Sequence, residues 1–181
     1  LITTTTIHAN AVLRRLEFLL QVEWSDLNVH LLSVTDDWAG IAIAGPKSRR
    51  VLEQLTNDEI SDTILPYLGY AECSLAGIKV RIFRISFSGE LAYEINMPPT
   101  DMQAIWEALL NAGKEFKIAP YGSEAMNVLR IEKGHVVGGE LNGRTTADGL
   151  GFGNMLSQNK YFVGKVLSQR EGLLKQNNHQ L

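Results

Sequence analysis

The chain has 181 residues, of which 45% are hydrophobic and 20% charged, and its formal net charge is −3. That length fits one domain of about 100–200 residues, able to bury a core without a disulfide or metal staple; the composition excludes a disordered, collagen-like or coiled-coil chain. A mildly acidic chain with no basic stripe argues against nucleic acid, and no apolar run approaches the ~18 residues of a membrane span.

Cys73 is the only cysteine, so no internal disulfide can form and a reducing, cytoplasmic compartment is expected. The first residues lack the charged-then-apolar order of a signal peptide. The chain opens on Leu1, inside a β-branched run over residues 1–6 that predicts a strand. A strand without a lead-in predicts a domain truncated at both ends.

Residues 8–22 carry Val12, Leu13, Leu16, Leu19 and Leu20 at helical spacing. A second strand is predicted over 28–34 and a third over 38–44, the third dense enough in apolar residues to be central. Gly45-Pro46 breaks it and starts a helix over 47–55, since proline at the first helical position loses no needed hydrogen bond. Strand, helix, strand, strand, helix opens a ferredoxin-like α+β unit with antiparallel sheets and packed helices.

Residues 70–75 and 78–86 predict a hairpin around Ala76-Gly77, and 91–97 a returning strand ended by Pro98-Pro99. Thr100 with Gln103 has the capping-box spacing, so a helix is expected from there to Gly113. Another is predicted over 122–133, with Gly134 as its left-handed cap. Seven of the 16 glycines fall between Gly134 and Gly153, which predicts irregular backbone. Gly149, Gly151 and Gly153 miss the register of a dinucleotide fingerprint and do not link a strand to a helix. Residues 171–181 predict a frayed tail.

Few residues carry chemistry by pattern. His8, His30, His135 and His179 are scattered, without ligand spacing to one another or to Cys73, so no metal site is expected. Glu94 is the exception. Alternation puts Leu91, Tyr93, Ile95 and Met97 on one face and Glu94 with Ala92 and Asn96 on the other. A mid-strand carboxylate either faces solvent and protects an edge, or accepts two parallel N–H donors such as the amide and amine edge of a pterin.

Several motifs, in order, resemble a known family. Ser88-Gly-Glu-Leu-Ala-Tyr-Glu-Ile95, Ala125-Met-Asn-Val-Leu-Arg-Ile-Glu132, the strand ending in Gly45-Pro46, Gly143-Arg-Thr-Thr-Ala-Asp-Gly-Leu-Gly151 and Phe162-Val-Gly-Lys165 are similar to segments of the aminomethyltransferase (glycine cleavage T-protein) superfamily. Thr3-Thr-Thr-Thr6, Val22-Glu-Trp24 and Pro120-Tyr-Gly-Ser-Glu-Ala-Met126 resemble one branch of it, the α subunits of heterotetrameric sarcosine oxidases.

The resemblance implies a partial folate-binding domain over residues 1–170. Its role would be to hold tetrahydrofolate while it captures the one-carbon unit of an oxidised methylated amine. FAD, FMN and NAD would lie outside this chain. Beta, gamma and delta subunits would be its partners, and the truncated piece might pair with a second copy. Glu94 matches the glutamate that hydrogen-bonds the pterin, with Tyr93 beside it. Phe87 stands where T-proteins carry a pterin-side tyrosine. Met126 replaces the family arginine. Arg130 is either a ligand contact or paired with Glu132 or the sheet. Asn10 falls where T-proteins keep an essential aspartate, and an amide cannot hold that charge. The other readings are a T-protein aminomethyltransferase, a folate-dependent assembly factor for iron–sulfur proteins, and a folate-binding module without catalysis. The assembly factors carry a Lys-Gly-Cys-Tyr-x-Gly-Gln motif, which residues 161–165 lack.

Overall fold

The computed structural model describes residues 1–142 and 145–174. They form two compact units: Leu1–Ser86 with Glu90–Pro120, and Phe87–Gly89 with the described residues from Tyr121 onward.

In chain order the first unit contains α1 (Ala9–Phe18), β1 (Ala39–Ala44), α2 (Ser48–Glu53), β2 (Tyr70–Leu75), β3 (Ile78–Phe83), β4 (Ala92–Met97) and α3 (Met102–Ala112). The four strands make one sheet in the order β1-β4-β3-β2, with every pairing antiparallel. The architecture is α+β.

Period-two patterning decides which face is buried. Ile95 lies opposite Ile41 on one side and Ile82 on the other. With Tyr93, Met97, Val80 and Leu75 these residues make one apolar face. Val51 and Leu52 of α2 and Ile105 and Leu109 of α3 cover it. Burying a side chain such as Ile95 contributes about 1.5–3 kcal/mol. The β2–β3 hairpin turns at Ala76 (φ 49°) and Gly77 (φ 82°), the doubly positive pair that matches strand twist.

Four expectations differ from the structure. Residues 1–6 and 28–34 are not strands; Leu1, Ile2, Val29 and Leu32 are exposed, and no described strand pairs with them, without which an extended segment has no ladder to join. The ferredoxin-like opening that rested on them is therefore replaced by the four-stranded sheet above. β1 is an edge strand, not a central one, because only Ile41 and Ile43 are buried and its alternate residues face outward. The capping box at Thr100 does not form: a 3₁₀ turn over Pro99–Asp101 precedes α3, and Gln103 donates instead to Glu107, one turn on, at 2.9 Å. Helix α1 holds its expected stripe but ends in a wide π turn over Leu19–Glu23.

The second unit contains α4 (Ser123–Lys133), α5 (Lys165–Ser168) and α6 (Glu171–Leu174). Gly134 adopts φ 81° past α4, as its cap position requires. The glycine-rich stretch is irregular, held by the Gly149 N–H donating to the Thr146 hydroxyl at 3.0 Å and by Phe152 N–H donating to Ala147 O at 2.7 Å. Of the predicted tail over 171–181, α6 is the described part; the remainder, like Gly143 and Arg144 of the family-like motif, lies outside the described residues.

Candidate functional site

In the first unit the site grows from one strand. β4 sends Tyr93 and Glu94 to opposite faces. Glu94 sits on the face that α2 and α3 do not cover, between Ala42 of β1 and Phe83 of β3. It is half-buried. Among the described residues no hydrogen bond or ion pair reaches its carboxylate, and burial alone pushes its pKa above the ordinary value. A desolvated carboxylate with unused lone pairs is an acceptor awaiting donors.

Its surroundings on that face are tied down. Asn96 lies opposite Gly40 and Arg81. The Arg81 guanidinium stands 4.1 Å from the Trp38 ring centre, and its Nε donates to Glu72 at 3.3 Å. The Tyr70 hydroxyl also donates to Glu72, at 2.6 Å, and the Tyr70 ring lies 5.1 Å from Phe83. A cleft of about 490 Å³ borders this belt, with Trp38, Arg81, Phe83 and Asn96 as its sheet wall and the N-terminal segment and α1 opposite. Glu94 is not in the wall, although its cross-strand neighbour Phe83 is.

Two expected residues of this unit are not beside Glu94. Tyr93 is fully buried on the core face, where its hydroxyl accepts from Arg49 Nε at 2.8 Å. It cannot touch a ligand on the opposite face, which corrects its assignment as a direct contact. Asn10 is the second residue of α1, exposed, and outside the cleft lining. The structure therefore does not bring it to Glu94.

In the second unit Phe87 is 37% exposed and lies parallel to His135, with ring centres 5.8 Å apart and planes 2° from parallel. Met126 is half-buried on α4. Arg130, one turn further, is 8% exposed. Its expected partner Glu132 is exposed. Arg130 Nη1 instead donates to Glu140 Oε1 at 3.0 Å and to the His135 carbonyl at 3.1 Å. The Glu140 carboxyl is held below its usual range first by the Val137 N–H, at 2.8 Å, and then by Arg130. Arg130 Nε finds no acceptor among the described residues. His135 and Glu140 escaped the sequence reading. A helical arginine on a buried stripe does demand a carboxylate, and Glu140 is the first acid after Gly134. Nothing in the sequence marks it as nearer in space than Glu132.

Similarity to known proteins bears on this arrangement. The family model described as the GCVT N-terminal domain matches residues 1–160. The sarcosine oxidase alpha subunit of Rhizobium meliloti (strain 1021) is 50% identical over 182 residues, covering 99% of this chain and 18% of that protein. Human mitochondrial dimethylglycine dehydrogenase is 35% identical over 76% of this chain and 16% of its own length. An aminomethyltransferase of Saccharopolyspora erythraea is 36% identical over 74% of this chain and 36% of its own length. The chain thus spans about a fifth of the length of the sarcosine oxidase subunit it matches. Among the described residues no helix is long and apolar enough to cross a membrane. With most of its length matched and its antiparallel α+β sheet in place, this chain belongs to the GCVT N-terminal domain family.

Proposed function

We propose that the chain is the tetrahydrofolate-binding part of a sarcosine oxidase-type alpha subunit. One observation carries the reading: Glu94 is half-buried, raised in pKa by burial, and unpartnered among the described residues. A carboxylate desolvated without a partner lowers stability, so its place in mid-strand is better explained by a ligand than by folding. It offers two acceptor oxygens to the amide and amine edge of a pterin. Small Ala42 and flat Phe83 flank it across the strands and leave room for a planar ring.

Bound tetrahydrofolate would supply two nucleophilic nitrogens. These form two C–N bonds to the methylene carbon of the imine from sarcosine, both bonds from that carbon to the imine nitrogen break, and the two N–H protons leave on glycine. No oxidant is consumed at this step. The oxidation that makes the imine belongs to other parts of the complex, where the flavin and nicotinamide cofactors are expected. What this chain contributes is binding and orientation, the effect that turns a bimolecular encounter into a positioned one. Its partners would be the other subunits of the oxidase, in the cytoplasm.

A second reading is aminomethyl transfer, supported by the relative of that name. Met126 in place of the family arginine and Asn10 in place of its aspartate weigh against it. Titration with tetrahydrofolate, wild type against Glu94→Gln, tests the first reading. Loss of affinity in the variant supports it, and equal affinity overturns it. Formation of 5,10-methylenetetrahydrofolate from sarcosine, without lipoylated carrier protein, separates the two readings.

A further inference from the structure

The second unit holds an arrangement that neither reading uses. Phe87 and His135 lie 48 residues apart in the chain, and their rings stack within 2° of parallel. Both are fastened to the C-terminal turn of α4. Gly89, at φ 87°, brings the Phe87 segment so close that a Cβ there would stand 2.7 Å from Lys133 Cδ. On the other side Gly134 turns the chain back, and Arg130 then holds both backbone polar groups of His135. The His135 N–H donates to the Arg130 carbonyl at 2.8 Å, while Arg130 Nη1 donates to the His135 carbonyl at 3.1 Å. Glu140 completes the clasp, binding Arg130 with one oxygen and the Val137 N–H with the other.

A buried arginine used this way fixes a loop with charge-assisted hydrogen bonds. The loop's one aromatic residue then lies flat against a partly exposed ring. Parallel rings held by a rigid support, with part of their surface open, present a stacking surface for a flat conjugated ring.

We propose that Phe87 and His135 form a stacking platform for a flat conjugated ring, and that Arg130 is its positioning residue. The proposal rests on the folate reading only for the identity of the ligand, whose flat parts are a pterin and an aminobenzoyl group. Arg130 acts through His135 and touches no ligand.

Two measurements on the full 181-residue chain test it. The first needs no ligand: the imidazole proton shifts of His135, assigned with His135→Gln among the four histidines, report the ring current of Phe87. They should move toward free-histidine values in Phe87→Leu and in Arg130→Met, and partly return in Arg130→Lys. Glu140→Gln, which keeps the shape of the clasp but weakens its charge, should give an intermediate shift and covers the case in which Arg130→Met does not fold. Unchanged shifts in Glu140→Gln and Arg130→Lys would overturn the positioning role.

The second is titration with tetrahydrofolate, with tetrahydropterin, and with p-aminobenzoylglutamate. His135→Ala should weaken tetrahydrofolate binding by roughly tenfold, the scale of one lost stacking contact, and His135→Phe should retain it. Whichever fragment loses affinity in His135→Ala identifies the ring on the platform. If His135→Ala binds tetrahydrofolate as wild type does while Glu94→Gln fails, the platform is wrong and the folate reading stands. If the wild-type chain binds none of the three, both fall.

Discussion

Tyr93 and Glu94 are adjacent in β4 and face opposite sides of the sheet, one satisfied and one not. The Tyr93 hydroxyl accepts from Arg49 at 2.8 Å inside the core, whereas the Glu94 carboxylate is half-buried with burial as the only influence on its pKa. The same pleat thus produces a structural residue and a binding candidate side by side.

The first prediction concerns Glu94. Its folded-state pKa is raised, so the neutral form is favoured by folding. The unfolded chain ionises first as pH rises, and stability falls from the ordinary glutamate range up through the raised folded value. Glu94→Gln removes that penalty. It should raise the melting temperature at neutral pH, have little effect at acidic pH, and lose tetrahydrofolate binding. A variant less stable than wild type at pH 7 would contradict the assignment of Glu94 as an unpaired carboxylate.

The opposite sign holds at Asp62, which accepts from both Arg49 and Arg84. Arg49 is the main cause of its lowered pKa. Its contribution is present above the ordinary carboxylate range and is lost as pH falls through the folded value. Asp62→Asn should flatten the acid limb of the stability curve. Tyr93→Phe, which removes the acceptor for Arg49 Nε, should cost about 1 kcal/mol and leave ligand affinity unchanged, since Tyr93 faces the core. A loss of affinity with unchanged stability would return Tyr93 to the site.

Cys73 is the only thiol. Burial first, and the nearby Asp58 charge second, push its pKa up to about 11. Alkylation near pH 8 should therefore be on the order of 100-fold slower than for an ordinary thiol, because the thiolate is the nucleophile. The rate should keep rising past pH 10. A plateau near pH 9 would show that the thiol is not desolvated.

Ile95 is fully buried between Ile41 and Ile82. Ile95→Ala should destabilise by about 2–5 kcal/mol, read from the denaturant midpoint. A loss well under 1 kcal/mol would mean that the sheet face is not the core.

Much of this was legible in the chain. The hairpin at Ala76-Gly77, strand β4, α4 with its Gly134 cap and the opposite facing of Tyr93 and Glu94 follow from local pattern, because pleat, turn and cap depend on near neighbours. The α+β class and the family followed from motifs in order. The failures share a cause. Residues 1–6 and 28–34 have strand composition, but a strand exists only where another supplies its ladder. The density of β1 suggested a centre, yet alternation, not density, reports how many faces are covered. Arg130 was paired with Glu132, its neighbour in sequence, whereas the carboxylate that reaches it is Glu140.

The sequence by itself determined the family, the elements whose signals are local, and Glu94 as the residue to test. Only the tertiary structure decided that Tyr93 belongs to the core, that β1 is an edge, and that Arg130 clasps the loop carrying His135 against Phe87. Those relations join residues far apart in the chain, and burial and partnership are properties of the packed chain that no local pattern contains.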